Sequence, residues 1–179
     1  MIERATEALA SAIASLRNDA ADRLTEQYGR NYGSGHCSER GVLGEMKRGG
    51  AVYVARARKM VLGTMTLATR KPWAIDPLYF APCQAPLYLT NMAVAPTHQR
   101  TGVGRALLEE AVRIAAAWPA DAIRLDAYDA EAGAGPFYAK CGFTEIGRRI
   151  YRAVPLIYYE LRLARPQTNT EEQATEKHR

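Results

Sequence analysis

The sequence has little cysteine, little histidine and no long apolar run. It contains three cysteines and three histidines among 179 residues. Cys37, Cys83 and Cys141 are odd in number and widely spaced, which fits neither a disulfide framework nor a zinc site. We therefore expect three free thiols in packing roles and no metal centre.

The missing apolar and basic runs also exclude whole classes of protein. No stretch approaches the ~20 consecutive apolar residues of a membrane span, and the N-terminal segment lacks the apolar centre of a signal peptide. The net charge of +5 is spread along the chain, without the Lys/Arg tract or groove-reading motif of a nucleic-acid-binding protein. We expect a cytoplasmic protein that is attracted to small anionic ligands, with no membrane and no nucleic acid among its partners.

Hydrophobic periodicity predicts alternating helices and strands. Helical spacing from residue 6 to 28 predicts a helix that breaks at Asn18-Asp19, and a shorter helix is predicted near 37–47. The other predicted elements are strands at 2–5, 51–57, 60–69, 87–95, 122–128, 143–151 and 156–163 and helices at 102–118 and 136–141. This order predicts a layered α/β domain, of α+β type, with a mixed sheet.

The chain is expected to form one domain over residues 1–165. Glycines and polar residues at 29–35 predict a loop, and four prolines at 71–86 exclude regular helix or central strand there. Residues 166–179 are polar and poor in apolar side chains, which predicts a disordered tail.

A possible anion site follows the predicted strand at 87–95. Gly102 and Gly104 open a helix, where backbone N–H groups lack intrahelical acceptors and carry the positive end of the helix dipole. Arg100 and Arg105 add full positive charges. Such a helix start suits a phosphate, and we expect a phosphorylated cofactor to bind there.

Two common phosphate loops do not fit this segment. The nucleoside-triphosphate loop requires GxxxxGK[ST], a string that the sequence lacks. The dinucleotide motif GxGxxG requires a third glycine where the chain has Leu107, and it opens the first strand–helix unit of its fold, whereas this segment lies in mid-chain.

A third pattern fits better. Gln99, Gly102 and Gly104 match [Q/R]xxGx[G/A], which follows MAVAP and precedes an amphipathic helix, a strand and the string FYAKCGF. This combination resembles the GNAT superfamily of acetyl-coenzyme A-dependent N-acetyltransferases. The resemblance covers about residues 2–163 and is strongest over 87–145.

The resemblance implies a splayed central sheet of about six or seven strands flanked by helices, with acetyl-coenzyme A (acetyl-CoA) in the cleft. The backbone near 92–94 is then expected to pair with the pantetheine arm, a backbone N–H near Val94 to polarise the thioester carbonyl, and the amides near 100–105 to hold the pyrophosphate. The implied cofactor-binding residues are Met92, Ala93, Val94, Gln99, Arg100, Thr101, Gly102, Val103, Gly104 and Arg105.

The resemblance also implies catalytic residues. Tyr138 matches the tyrosine with which many family members protonate the departing sulfur, although a tyrosine that only packs on the cofactor arm is the alternative. Relatives often carry an acid at or near position 91, where this chain has Asn91. An amide cannot accept a proton but can hold a water, so the base is either a water chain or a carboxylate from elsewhere.

Several acids are candidates for that carboxylate. Glu39, Glu45 and Asp76 lie in segments that can line the acceptor side, although each also fits a solvated surface acid. The strand edge that carries Asp126 and Tyr128 can face the cleft as well.

We therefore predict an N-acetyltransferase that moves acetyl from acetyl-CoA to a primary amine by direct attack, with a small-molecule acceptor favoured over a protein N-terminus. The alternatives are a catalytically inactive coenzyme A-binding module or sensor, and an acyltransferase of the same fold with a longer acyl group. A homodimer is a further expectation, through apolar residues such as Leu156 and Ile157 if they are exposed.

Overall fold

The computed structural model describes residues 1–29 and 35–164. Most of the predicted loop at 29–35 and the whole predicted tail at 166–179 lie outside the described residues. Within the described part of the chain, seven strands form one sheet in the order β1-β2-β3-β4-β5-β7-β6. The mixed, layered sheet flanked by helices that the sequence predicted is confirmed.

The elements follow the predicted order with small shifts at their ends. The strands are β1 (Ile2–Arg4), β2 (Ala51–Ala57), β3 (Met60–Ala68), β4 (Pro86–Val94), β5 (Ala122–Tyr128), β6 (Thr144–Tyr151) and β7 (Val154–Arg162). The α-helices are α1 (Ala10–Tyr28), α2 (Glu39–Lys47), α3 (Val103–Ala117) and α4 (Gly135–Lys140).

The predicted break in the first helix is wrong, because α1 is continuous through Asn18. Asparagine disfavours helix interiors because its side chain competes for nearby backbone groups. Here the Asn18 amide instead bonds the backbone of Cys37, donating to its carbonyl at 3.0 Å and accepting from its N–H at 2.8 Å. This bond also holds the segment that leads into α2 against α1.

Alternation along the strands gives the sheet two covered faces. Val52 and Val54 of β2 are buried in a cluster with residues of α1 and α2. Met65 and Leu67 of β3 point to the other face and are buried in a larger cluster with residues of α3 and α4. The sheet is therefore the middle layer of three.

The parallel pair in the middle of the sheet opens after three residues. Pro86, Leu87 and Tyr88 of β4 pair with the first three residues of β5, and no further pairs join the two strands. Both strands continue beyond that point, β4 to Val94 and β5 to Tyr128. The sheet is therefore split between β4 and β5, as the resemblance implied.

A bulge bends β4 within the split. Thr64 and Thr66 of β3 are separated by one residue, whereas their partners Ala93 and Thr90 on β4 are separated by two. Asn91 occupies the bulge with φ of 50°, in the left-handed region that asparagine tolerates better than most residues. Side chains before and after the bulge therefore do not follow one simple alternation.

The proline-rich segment between β3 and β4 is held against the sheet at several points. The Tyr158 hydroxyl of β7 donates to the Ala74 carbonyl at 2.5 Å, and Arg149 forms an ion pair with Asp76. The buried Arg124 of β5 donates to the Ala81 carbonyl at 2.7 Å. We refer to residues 71–85 as the strap.

Two further findings concern surfaces. Leu156 and Ile157 are buried within the chain, so the expectation that they are exposed is wrong, and a homodimer stays a prediction without them. They pair with β5 and β6 and face the interior on both sides of β7. Across the described residues, no helix has the length and apolar character needed to cross a membrane.

Candidate active site

A cavity of about 470 Å³ occupies the split between β4 and β5. Its lining combines residues of both strands with residues of α1, α4, the strap and the β6–β7 hairpin. The lining residues are Leu24, Ala74, Leu89, Thr90, Asn91, Met92, Asp126, Ala127, Tyr128, Ala132, Ala134, Tyr138, Tyr151, Val154 and Leu156. The sequence predicted five residues of this set as being in or facing the cleft, through the resemblance or the strand pattern: Asn91, Met92, Asp126, Tyr128 and Tyr138.

The end of β4 turns backbone groups into the split. Ala95 donates its N–H to the Leu62 carbonyl of β3 at 2.9 Å. Because the N–H groups of successive residues in an extended strand point to opposite sides, the N–H of Val94 points away from β3. This places the Val94 amide on the edge that β5 does not pair with, as the prediction for the thioester carbonyl requires.

The segment after β4, residues 99–105, is the glycine turn. Gly102 has φ of 92° at the N-cap of α3, and no side chain caps this helix. The first N–H groups of α3 therefore lack both intrahelical and side-chain acceptors. Arg100 and Arg105 are exposed and make no ion pair with any residue that the structure describes.

Two residues of the glycine turn hold it in place. Gln99 donates its side-chain amide to the Val94 carbonyl at 3.4 Å. A Cβ on Gly104 would lie 3.2 Å from the Phe137 ring and 3.7 Å from the Met92 methyl group, so this glycine allows α3 to approach α4 and the cavity lining. The two glycines thus differ: Gly102 supplies a backbone conformation, whereas Gly104 supplies close packing.

Tyr138 of α4 is buried and directs its hydroxyl at β4. The hydroxyl contacts the Met92 sulfur at 3.8 Å, and the ring packs between Phe137, Phe143 and Tyr159. Burial, and then the nearby carboxyl of Asp126, raise the pKa of the phenol well above its usual range. Tyr138 therefore keeps its proton at every physiological pH.

Asn91 is held by a carboxylate from α2. Its side-chain nitrogen donates to Glu45 at 2.8 Å, and the other Glu45 oxygen accepts from Arg17 of α1 at 2.7 Å. Burial alone would raise the pKa of Glu45, but the Arg17 charge and hydrogen bonds from Arg17, Thr66 and Asn91 outweigh it and lower the pKa. Because the nitrogen faces Glu45, the amide oxygen of Asn91 is left to accept from the cavity.

Asp126 of β5 lies in the lining of the cavity and is half-buried. Desolvation raises the pKa of its carboxyl, and only a hydrogen bond from its own backbone opposes this shift. No side chain of the described residues forms a hydrogen bond or an ion pair with this carboxyl.

The other acids proposed from the sequence lie outside the cavity lining. Asp76 is in the strap and forms its ion pair with Arg149, and Glu39 is exposed in the first turn of α2. Glu45 reaches the site only through Asn91.

Sequence reasoning expected the segment that holds Asp76 to line the acceptor side, but it named none of the following four residues individually. Leu24, Ala74, Tyr151 and Val154 come from four separate segments, and we refer to these residues together with Tyr128 as the side-chain wall. None of them belongs to a local motif, and only tertiary packing brings them together.

The match to known proteins agrees with this geometry. The family model of the GNAT acetyltransferase domain matches residues 48–145, which is more than half of the chain. This range contains the split strands, the glycine turn and Tyr138.

Three of the solved structures with the same fold illustrate the similarity. The ribosomal-protein-S18-alanine N-acetyltransferase of Escherichia coli is 18% identical with a TM-score of 0.71, covering 94% of this chain and 97% of that one. The yncA protein of Salmonella typhimurium, solved with its cofactor acetyl-CoA, is 18% identical with a TM-score of 0.67 and coverage of 93% and 95%. The aminoglycoside 6'-acetyltransferase type Ii is 16% identical with a TM-score of 0.66 and coverage of 93% and 99%.

The similar solved structures establish the fold, and the match to the family model establishes to which family the chain belongs. The predicted superfamily is confirmed, and the chain belongs to the GNAT family of acetyltransferases.

Proposed function

We propose that this protein is an N-acetyltransferase that moves acetyl from acetyl-CoA to the primary amine of a small molecule by direct attack. One observation carries the proposal: the pairing of β4 and β5 stops after three residues, and a cavity with backbone groups on one side and side chains on the other opens there. Because the first and last strands belong to the same sheet, we propose one catalytic domain over residues 1–165.

The residues fit acetyl-CoA as the donor. The edge of β4 that faces the split is unpaired at Met92, Ala93 and Val94. Its backbone groups are free to bond the amides of the pantetheine arm, which then lies along β4 like an added strand. In the glycine turn, Gln99, Arg100, Thr101, Gly102, Val103, Gly104 and Arg105 surround uncapped backbone N–H groups and add two full positive charges, which suits a pyrophosphate. Bound there, acetyl-CoA supplies the thioester whose acetyl group is transferred.

Three groups of the chain assist the transfer. The Val94 N–H donates to the thioester carbonyl as charge develops on its oxygen, and the Tyr138 hydroxyl donates to the departing sulfur. Asn91, oriented by Glu45, accepts a hydrogen bond from the incoming amine or from a water beside it.

The raised pKa of Tyr138 limits how its proton moves. A phenol with a pKa above that of a thiol does not give up its proton to a thiolate on its own. Tyr138 therefore passes on a proton that the nitrogen loses in the same step, so that the phenol is never left ionised. No activated nucleophile is needed for this route, which favours direct attack over an acetylated enzyme.

A small acceptor is favoured because the residues of the side-chain wall line the same cavity as the catalytic groups. Among the similar structures, one is named for a ribosomal-protein substrate and another for aminoglycosides, so the fold serves both kinds of acceptor. Here residues of the strap and of the β6–β7 hairpin line the same space as Asn91 and Tyr138, which suits a molecule that enters the cavity as a whole.

The proposal is tested by incubating the protein with acetyl-CoA and a panel of small primary amines. Free thiol and N-acetylated amine are measured in parallel, and we expect one thiol for each acetylated amine. Saturable acetyl-CoA binding without turnover on any amine would instead favour the inactive coenzyme A-binding module.

A further inference from the structure

The carboxyl of Asp126 is the one acidic group among the residues that line the cavity in the described part of the chain. The same lining contains no lysine, arginine or histidine. Burying a carboxylate without a partner is costly, so a position of this kind is expected to have a ligand that repays the cost. Among residues 1–29 and 35–164, no side chain neutralises this group, which faces the substrate site.

The nearby cations that the structure describes are engaged elsewhere. Arg124 lies on the same face of β5, but its guanidinium bonds Glu160 at 2.9 Å and the Ala81 carbonyl. Arg149 pairs with Asp76 in the strap. Tyr158 of β7 is the cross-strand neighbour of Asp126, and its hydroxyl donates a hydrogen bond to the strap.

We infer that Asp126 binds the ammonium group of the acceptor and removes its proton, and that the acceptor is a small amine with one positive charge and an apolar or aromatic body. The inference rests on the proposed N-acetyltransferase function. It deepens that function by assigning the base and the class of acceptor.

The cavity supports both halves of the inference. A single carboxylate balances one ammonium, whereas a second ammonium would be desolvated without a counter-charge. Apart from Thr90 and Asn91, the other side chains of the lining are apolar or aromatic, and Tyr128 and Tyr151 offer ring surfaces to a cation and to the body that carries it. A polycation does not match this set of residues.

The step balances in atoms and protons. The acceptor ammonium gives one proton to Asp126, and the nitrogen lone pair forms a bond to the acetyl carbon while the carbon–sulfur bond breaks. The sulfur leaves with the bonding pair and receives the second proton of the nitrogen through Tyr138. Asp126 then releases its proton to water, so the products are an N-acetylated amine, a free thiol and one proton.

Protonation of Asp126 is set by few neighbours. The titratable groups that face it are the phenols of Tyr138 and Tyr158, with Tyr128 on the same strand and edge of the cavity. Burial raises the pKa of both Tyr138 and Tyr158, so these two remain neutral where Asp126 titrates. A carboxyl with a raised pKa is a better base than an ordinary aspartate.

The test compares wild type with Asp126→Asn, Asp126→Glu and the matched control Asp19→Asn, which removes an exposed carboxylate of α1. The rate is measured with acetyl-CoA and 2-phenylethylamine, which carries one charge, and with spermidine, which carries several. We expect Asp126→Asn to lower kcat/KM for 2-phenylethylamine by about 10²–10⁴-fold and Asp126→Glu to keep part of the rate. Asp19→Asn should match wild type.

The pH profile separates a base from a packing residue. In wild type, kcat/KM should rise at acidic pH as Asp126 ionises and then stay level until the amine itself loses its proton. In Asp126→Asn only the free amine reacts, so kcat/KM should rise about tenfold per pH unit up to the amine's pKa near ~10. Because desolvation disfavours the charged form of this carboxyl, its removal should also leave the melting temperature at neutral pH equal to or above that of wild type.

The outcomes distinguish the two proposals. If wild type acetylates no amine, the proposed function and this inference both fail. If wild type acetylates amines while Asp126→Asn keeps the rate and the level pH profile, only the assignment of the base is overturned. If wild type acetylates spermidine with a kcat/KM equal to or above that for 2-phenylethylamine, the acceptor class is overturned.

Discussion

The glycine turn and the side-chain wall are built in opposite ways although both serve the same split in the sheet. The glycine turn is one continuous segment whose uncapped N–H groups and two exposed arginines form the binding surface. The side-chain wall takes one residue each from α1, the strap and β5 and two from the β6–β7 hairpin.

This difference separates what the two parts can recognise. Backbone N–H groups at a helix start recognise an anionic group of any molecule that presents it correctly, and they need only glycine and the right turn. The wall recognises the shape and charge of a particular acceptor, and each of its residues can be exchanged without disturbing the turn. We expect the donor to be set by the first region and the acceptor by the second.

The variant with the largest expected effect is Tyr138→Phe, which removes a hydroxyl where the glycine turn and the side-chain wall meet. We expect kcat to fall by about 10²–10⁴-fold because the departing sulfur loses its proton donor. The dissociation constant of acetyl-CoA, measured by calorimetry, should stay within about twofold, since the turn is untouched. Tyr53→Phe on β2, outside the cavity lining, is the control and should keep the rate; an unchanged kcat in Tyr138→Phe would remove the acid role.

The second test, Arg124→Met, loosens the strap and with it one part of the wall. It removes the buried partner of the Glu160 carboxylate, which then keeps only a longer ion pair of 3.6 Å with the half-exposed Arg162, and it removes the bond to the Ala81 carbonyl. We expect a loss of about 3–5 kcal/mol in the free energy of unfolding, measured with denaturant. Arg113→Met, which breaks an exposed pair within α3, should have no measurable effect; equal losses in both variants would show that burial of the pair is not the cause.

A third test, Glu45→Gln, acts on the support of Asn91. The lowered pKa of Glu45 means that its ionised form stabilises the fold above its ordinary pKa of 4.5, and that this contribution is lost as pH falls through the lower folded value. We expect the variant to lose about 1–3 kcal/mol at pH 7 and to approach wild type at strongly acidic pH. A loss that stays the same at acidic pH would contradict the role of the charge.

The smallest expected effect is that of Gly102→Ala in the glycine turn. A Cβ meets no atom within 4 Å there, so the cost comes from the backbone, whose φ of 92° disfavours alanine by about 1–2 kcal/mol. We expect weaker acetyl-CoA binding by roughly tenfold and an unchanged preference among amines. Gly41→Ala in α2, where the backbone is helical, is the control; altered amine preference in Gly102→Ala would mean that the two regions are not separate.

The same comparison explains what the sequence could predict. The glycine turn and the strands on either side of α3 are local patterns, so their position and the family resemblance followed from a short stretch. The split itself came from the resemblance, and the three-residue pairing of β4 with β5 confirms it. The bulge at Asn91 has no signal in the pattern of apolar residues.

The errors arose where tertiary contacts overrule local preference. Asparagine disfavours helix interiors when its side chain is free to bond the nearby backbone. Here the side chain of Asn18 is hydrogen-bonded to the backbone of Cys37 instead, and the helix continues. Leu156 and Ile157 looked available to a second chain, yet β5, β6 and the layers above and below them cover both. Glu45 and Asn91 are 46 residues apart, and no spacing rule joins them.

The most direct test of the account is a crystal structure of the protein with coenzyme A. The account predicts the pyrophosphate on the N–H groups of the glycine turn and the sulfur in the cavity between β4 and β5, within hydrogen-bonding reach of the Tyr138 hydroxyl. A sulfur outside the split, or a pyrophosphate held away from residues 99–105, would contradict it.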